Sequence, residues 1–160
     1  MNELTVNEVM THLVVTLRRE DKIYDAAKRL LSNRISGAPV VEAGRLVGVV
    51  SEADLMKAFT PPARRGSMVA PFPLMLLLLR GSFRHEAHYS SVGDVMTKDV
   101  VTIAPHESVW EAASLIDRYG VRRLPVVDDE GYVIGIVARS DLVRCMARSK
   151  EHVALAVGAG

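Results

Sequence analysis

Two aspartates, two arginines and the residues beside them are where this chain has chemistry to offer. Ser51-Glu-Ala-Asp54 sets a hydroxyl three residues ahead of a carboxylate, at the expected start of a helix. By spacing alone, Ser-x-x-acid favours a capping box, in which the two side chains satisfy free N–H groups of the first turn. Ala138-Arg-Ser-Asp141 repeats the carboxylate with alanine in place of the hydroxyl, and Ser140 stands directly before the acid. Arg122 and Arg123 are adjacent guanidiniums, natural partners for phosphate and equally at home as solvated loop cations. Thr16 and Thr102 each end an expected strand, where β-propensity alone accounts for a threonine. His85 and His88, at i and i+3, can share a helix face, but two ligands rarely hold a metal. The single cysteine, Cys145, excludes an intrachain disulfide and any cysteine-cluster metal site. No nucleophile–base pair, metal cluster or phosphate-binding glycine loop appears elsewhere in the chain, which argues against catalysis. The expectation is a protein that is not an enzyme.

These groups sit in a unit that occurs twice. Pro39-Val-Val, Leu46-Val-Gly-Val-Val and Asp54-Leu are answered by Pro125-Val-Val, Val133-Ile-Gly-Ile-Val and Asp141-Leu. Pro39 maps to Pro125, 86 residues on, and Gly48 to Gly135, 87 residues on, so one residue has been gained at or near Glu130. Upstream, Val9-Met-Thr answers Val95-Met-Thr, Val14-Val-Thr answers Val100-Val-Thr, and Ala26-Ala27 answers Ala112-Ala113. This is an internal duplication. It divides the chain into a first repeat at 1–59, an insert or linker at 60–91, a second repeat at 92–148 and a tail at 149–160.

Each repeat reads as alternating short strands and helices. In the first, a turn of helix at Val6–Met10 precedes a strand at Leu13–Leu17, and Asp21 is placed to cap the next helix. Ile23, Ala26, Ala27, Leu30 and Leu31 form one stripe on that helix, with Lys22, Asp25, Lys28 and Arg29 outside it. Two strands at Pro39-Val-Val and Leu46–Val50 flank a Glu-Ala-Gly turn, and their unbroken apolar character implies burial on both faces. A last helix runs from Ser51 through Leu55, Met56 and Phe59 until Pro61-Pro62 stops it. In the second repeat the first helix carries Val109, Ala112, Ala113 and Ile116, but Asp117 stands where the first copy has Leu31, which narrows the stripe. The insert holds a very apolar run, Pro73–Leu79, expected as a short helix that covers an edge of the core or makes a dimer contact. The small apolar tail is expected to fray.

Composition sets outer bounds. A chain of 160 residues that is 49% apolar and 24% charged is globular and long enough for one domain or two small ones. A formal charge of +1 supplies no field for nucleic acid or a membrane surface. Aromatics at 5% argue against base-stacking platforms. Without a basic, then apolar, leader or a span-length apolar stretch, a cytoplasmic protein is expected.

The order Val-Met-Thr, Val-Val-Thr, Ala-Ala, Pro-Val-Val, Gly-h-Val and Asp-Leu, present twice, resembles a tandem pair of cystathionine-β-synthase (CBS) domains, a Bateman module. The resemblance covers all but the 60–91 insert and the tail. It implies a mixed α/β (α+β) fold: two β-α-β-β-α units packed sheet to sheet about a pseudo-twofold axis, often dimerising further. It also implies adenosine-containing ligands (AMP, ADP, ATP or S-adenosylmethionine) in clefts between the paired domains. In the family, a Gly-h-x-h-x-Pro segment contacts the base, and Ser/Thr-x-x-Asp holds ribose and phosphate. Carried onto this chain, the first site comprises Ile35, Ala38, Pro39 and the neighbouring Val40 at the base, with Ser51 and Asp54 beyond. The segment Arg34–Pro39 lacks the opening glycine. The second site comprises Val121, Arg122, Arg123 and Pro125, with Ser140 and Asp141. Here Gly120 keeps the opening glycine, but Ala138 replaces the hydroxyl, for which Ser140 is the substitute. Some family members carry basic residues where Arg122 and Arg123 fall, and many have a threonine near the base or ribose, as at Thr16 and Thr102.

The resemblance thus implies a regulatory adenine-nucleotide sensor that needs no cofactor, a homodimer read by an unknown effector protein. The alternative is an oligomerisation scaffold whose clefts are degenerate, since each site keeps its aspartate and loses one customary feature.

Overall fold

The computed structural model describes residues 4–58 and 89–157. Phe59, the Pro61-Pro62 stop, the Pro73–Leu79 run and the His85/His88 pair lie outside the described residues. In chain order the elements are α1 (Val6–Val9), β1 (Leu17–Arg18), α2 (Ile23–Ser32), β2 (Gly37–Glu42), β3 (Arg45–Ser51), α3 (Glu52–Lys57), α4 (Val92–Val95), α5 (Val109–Tyr119), β4 (Arg123–Val127), β5 (Val133–Ala138) and α6 (Arg139–Val157). Mixed helices and strands with two small sheets are the fold class expected from the sequence.

The chain divides into two compact units, and neither is simply one repeat. One, the Asp54 unit, is built from Val15–Ala43 and Val47–Val100; the other, the Asp141 unit, from Met1–Val14, Gly44–Leu46 and Val101–Gly160. In the Asp54 unit β1, β2 and β3 form a sheet in that order, with β1 parallel to β2 through Leu17↔Val40 and Arg18↔Val41. The unit's core joins Leu17, Ile23, Ala26, Ala27, Leu30, Val40, Val50 and Leu55 of the first repeat to Val92, Val95 and Met96 of the second. In the Asp141 unit β4 and β5 pair antiparallel, and Ile103 bridges Val126 in parallel as Leu17 does Val40. Its core joins Ile103, Ala112, Ile116, Leu124, Val126, Val137 and Leu142 to Val6 and Met10 from the first repeat. Each repeat's opening Val-Met-Thr segment is therefore given to the unit that carries the other repeat's hairpin.

Some local expectations change. The first strand is shorter and later than Leu13–Leu17: pairing starts at Leu17, because the chain passes from one unit to the other between Val14 and Val15. Thr16 and Thr102 consequently precede the paired residues, Leu17 and Ile103, and do not end a strand. Asp21 does not cap α2: the cap position is Lys22, and Asp21 Oδ2 accepts the Arg18 N–H at 2.8 Å, closing the turn ahead of the helix. At the far end, α6 continues through Val157, so the helix outlasts the expected fraying point.

The α2 stripe forms as its spacing indicates, with Ile23, Ala26, Ala27 and Leu30 buried. Two side chains of α5, Ala112 and Ile116, are buried, and Asp117 is exposed. The residue gained in the second copy is absorbed where the repeats differ in turn length. Asp128 Oδ1 accepts the N–H groups of Glu130 and Tyr132, and the β4–β5 register shifts between Val126 and Val127.

Candidate functional site

In both units one backbone bond ties the base segment to the start of the last helix. The Glu52 N–H donates to the Ser36 carbonyl at 3.1 Å, and the Arg139 N–H to the Arg122 carbonyl at 2.9 Å. Ser36 and Arg122 are repeat equivalents, so the sequence segments singled out for base and ribose are drawn together by the same contact twice. Gly37 makes the first approach possible: a Cβ there would stand 2.8 Å from the Val50 carbonyl oxygen.

The segments also enter their sites identically. α2 and α5 both end in a left-handed residue, Arg34 at φ 53° and Gly120 at φ 63°. The following N–H groups, of Ile35 and Val121, reach back to Leu30 and Ile116 at 3.1 Å each. This is a Schellman closure, which prefers glycine in the left-handed position. The glycine missing from the first repeat is thus a conformational position that Arg34 fills at a steric cost, and the backbone path is kept.

Beyond that turn the side chains differ in access. Ile35 and Val121 are half-buried against their respective cores, whereas Ala38, Pro39, Val40 and Pro125 are buried. Thr16 and Thr102 are half-buried, Arg123 is half-buried, and Arg122 and Ser140 are exposed.

The aspartates are the best-defined part. Their side chains are equally shielded, each 11% exposed. Asp54 Oδ2 accepts the Ser51 N–H at 2.9 Å and the Ser51 hydroxyl at 2.7 Å, while the Asp54 N–H reaches Ser51 Oγ at 3.3 Å. The capping box suggested by the spacing is therefore present. Asp141 Oδ2 accepts the Ala138 N–H at 2.7 Å, which is the half of the box that alanine permits. Burial alone raises the pKa of Asp54, but bonds from Lys57 and from the Ser51 side chain and backbone outweigh it and hold the carboxyl below the ordinary aspartate value.

A capping box by itself carries little functional information, because the described residues hold two more. Thr5–Glu8 opens α1 and Ser91–Asp94 opens α4, again as repeat equivalents. Glu8 and Asp94 are exposed, while Asp54 is buried. Shielding distinguishes the candidate acid from the purely structural ones.

Two residues that sequence reasoning passed over complete the picture. Lys57 Nζ donates to Asp54 Oδ1 at 2.7 Å, and Arg144 Nη2 donates to Asp141 Oδ1. Both cations lie three residues after their aspartate, and Lys57 and Arg144 are themselves repeat equivalents 87 residues apart, a signal visible in the sequence. Among the described residues no three His, Cys, Asp or Glu side chains converge as a metal site, and no helix is long and apolar enough to cross a membrane.

Comparison with known proteins identifies the family. The CBS domain family model matches residues 6–61 and 92–148. The chain is 35% identical to protein MJ1426 of Methanocaldococcus jannaschii over 91% of this chain and 97% of that one. It is 33% identical to the L-aspartate semialdehyde sulfurtransferase of Methanosarcina acetivorans over 89% of this chain, but spans 24% of that enzyme. Among solved structures, CBSX2 from Arabidopsis thaliana aligns over 94% of this chain and 99% of its own, with TM-score 0.74 and 28% identity. CBSX2 in complex with AMP aligns over 91% and 98%, with TM-score 0.70 and 29% identity. The CBS domain pair of MJ0100, in complex with 5′-methylthioadenosine and S-adenosyl-L-methionine, has the same fold at TM-score 0.70 and 24% identity, over 92% of this chain and 99% of that one. The chain belongs to the CBS domain family and carries two such domains in tandem.

Proposed function

We propose that this CBS pair is a regulatory module that binds an adenosine-containing ligand (AMP, ADP, ATP or S-adenosylmethionine) and is not itself an enzyme. The observation that carries the reading is the duplicated pairing of a shielded carboxylate at a helix start with a base segment tied to it by one backbone bond. A carboxylate so placed accepts ribose hydroxyls, and the apolar flanks at Ile35 and Val121 suit a base. Arg122 and Arg123 supply phosphate partners in the second site. The AMP complex of CBSX2 supports the same ligand class. The ligand acts as an effector, read by a partner protein in the cytoplasm, and the functional boundaries are the repeats at 1–59 and 92–148, flanking the 60–91 insert. The chain works as a homodimer: Trp110 and Tyr119 of α5 and Val143 and Met146 of α6 leave large apolar surfaces exposed. Isothermal titration with adenosine, AMP, ADP, ATP and S-adenosylmethionine tests the reading; saturable binding of at least one is expected.

One observation favours a second reading, a scaffold with degenerate sites. Each aspartate already has a cap and a cation as partners, so neither carboxylate needs a ligand to be satisfied. Absence of binding across the whole panel would select it.

A further inference from the structure

The two aspartates are equally shielded but not equally occupied. An ionised carboxylate offers about four acceptor positions. Among the described residues, Asp54 has three filled: two on Oδ2 by the Ser51 N–H and hydroxyl, and one on Oδ1 by Lys57. Asp141 has two filled by the described residues, one by the Ala138 N–H and one by Arg144. The difference is the hydroxyl that Ala138 lacks. A vicinal diol that donates both hydrogens needs two positions. Asp141 retains two, whereas Asp54 retains one.

Something must therefore leave Asp54 before a diol can dock there. Ser51 is poorly placed to go, because its hydroxyl donates to Oδ2 while its oxygen accepts the Asp54 N–H. Lys57 is the opposite case. Its side chain is 66% exposed, so its ammonium exchanges a carboxylate for water at little cost. We infer that Lys57 is a specificity-determining residue of the Asp54 site, an exchangeable counterion that occupies the position of a ligand hydroxyl and is displaced when a ribose-type diol binds. The inference rests on the nucleoside-binding reading above. It makes the site with the intact Ser-x-x-Asp the weaker of the two for a neutral nucleoside, and the site with the alanine the readier one.

The test is a titration of nitrogen-labelled full-length protein with adenosine, which is neutral and has no direct salt response. Affinity at each site is read from the amide signals of Ser51 and Asp54, and separately from those of Ala138 and Asp141. Lys57→Met and Lys57→Gln are compared with wild type at low and raised salt. The expected result is binding roughly two- to fivefold tighter at Ser51 and Asp54 in both variants, the range set by an exposed ion pair, with Ala138 and Asp141 unchanged. Raised salt should tighten wild-type binding at Asp54 toward the variant value and leave the variants unmoved. Two variants of different polarity guard against a folding artefact in one. Binding that is unchanged or weaker in both variants, with wild type still binding, overturns the inference alone. No binding by wild type or variants overturns the nucleoside reading and the inference with it. Binding by the variants but not by wild type supports both.

Discussion

The thioether of Met10 packs against the bare Cα of Gly135, although the two residues belong to different repeats. Met96 does the same to Gly48, in the opposite sense. Each contact is backed by a two-bond bridge, Thr11 with Ile136 at 2.9 and 3.0 Å and Thr97 with Val49 at 2.9 Å both ways. A Cβ on Gly48 would stand 2.9 Å from the Thr97 carbonyl oxygen, a backbone atom that cannot turn aside. Gly48→Ala is therefore expected to destabilise the protein by about 1–3 kcal/mol through overpacking. Urea denaturation measures it; an unchanged midpoint would show that the bridge is slack.

Arg34 is the next point of leverage. It holds a left-handed conformation that its repeat equivalent, Gly120, adopts without a side-chain penalty. Arg34→Gly is expected to raise stability by about 1 kcal/mol. A thermal melt that fell would place Arg34 in an interaction worth more than its backbone cost.

Asp54 also makes stability depend on pH. Its pKa is lower folded than the ordinary 3.8, so its contribution is complete above that value and is lost as pH falls through the folded value. Asp54→Asn should flatten the decline in melting temperature between about pH 4 and pH 2. Part of the decline should remain, because Glu8 and Asp94 are lowered by bonds from Thr5 and Ser91. A profile identical to wild type would mean that Asp54 and its partners do not couple to folding.

Charge on the ligand should be felt at Arg123. Arg123→Ala is expected to weaken ATP more than AMP and to leave adenosine almost untouched, since a guanidinium pairs with phosphate. Titration of the three ligands gives the ratio. Equal losses would assign Arg123 to shaping the site.

The duplication, α2 and its stripe, the hairpins and the capping box at Ser51 were all legible, because each rests on local spacing. What the sequence concealed was long-range. Nothing in Val9-Met-Thr says that Met10 will be buried in the unit that carries the second hairpin, since burial of a methionine is equally satisfied at home or across the repeat. The glycine absent at Arg34 reads in the sequence as a lost feature of the site, and the fold shows that the left-handed turn is kept there. Lys57 and Arg144 look in the sequence like any exposed helix cations, and only the fold brings them onto the two candidate aspartates.

The central claim is that Asp54 and Asp141 accept a ribose diol. Replacing Asp54 is an impure test, because it also removes the acceptor that caps α3 through Ser51. Varying the ligand leaves the protein intact. Calorimetric titration of wild type with adenosine and with 2′,3′-dideoxyadenosine isolates the two hydroxyls. Hydrogen bonds to charged groups contribute about 1.5–3 kcal/mol each, so the dideoxynucleoside should bind at least roughly tenfold more weakly. Equal affinities for the two would contradict the assignment.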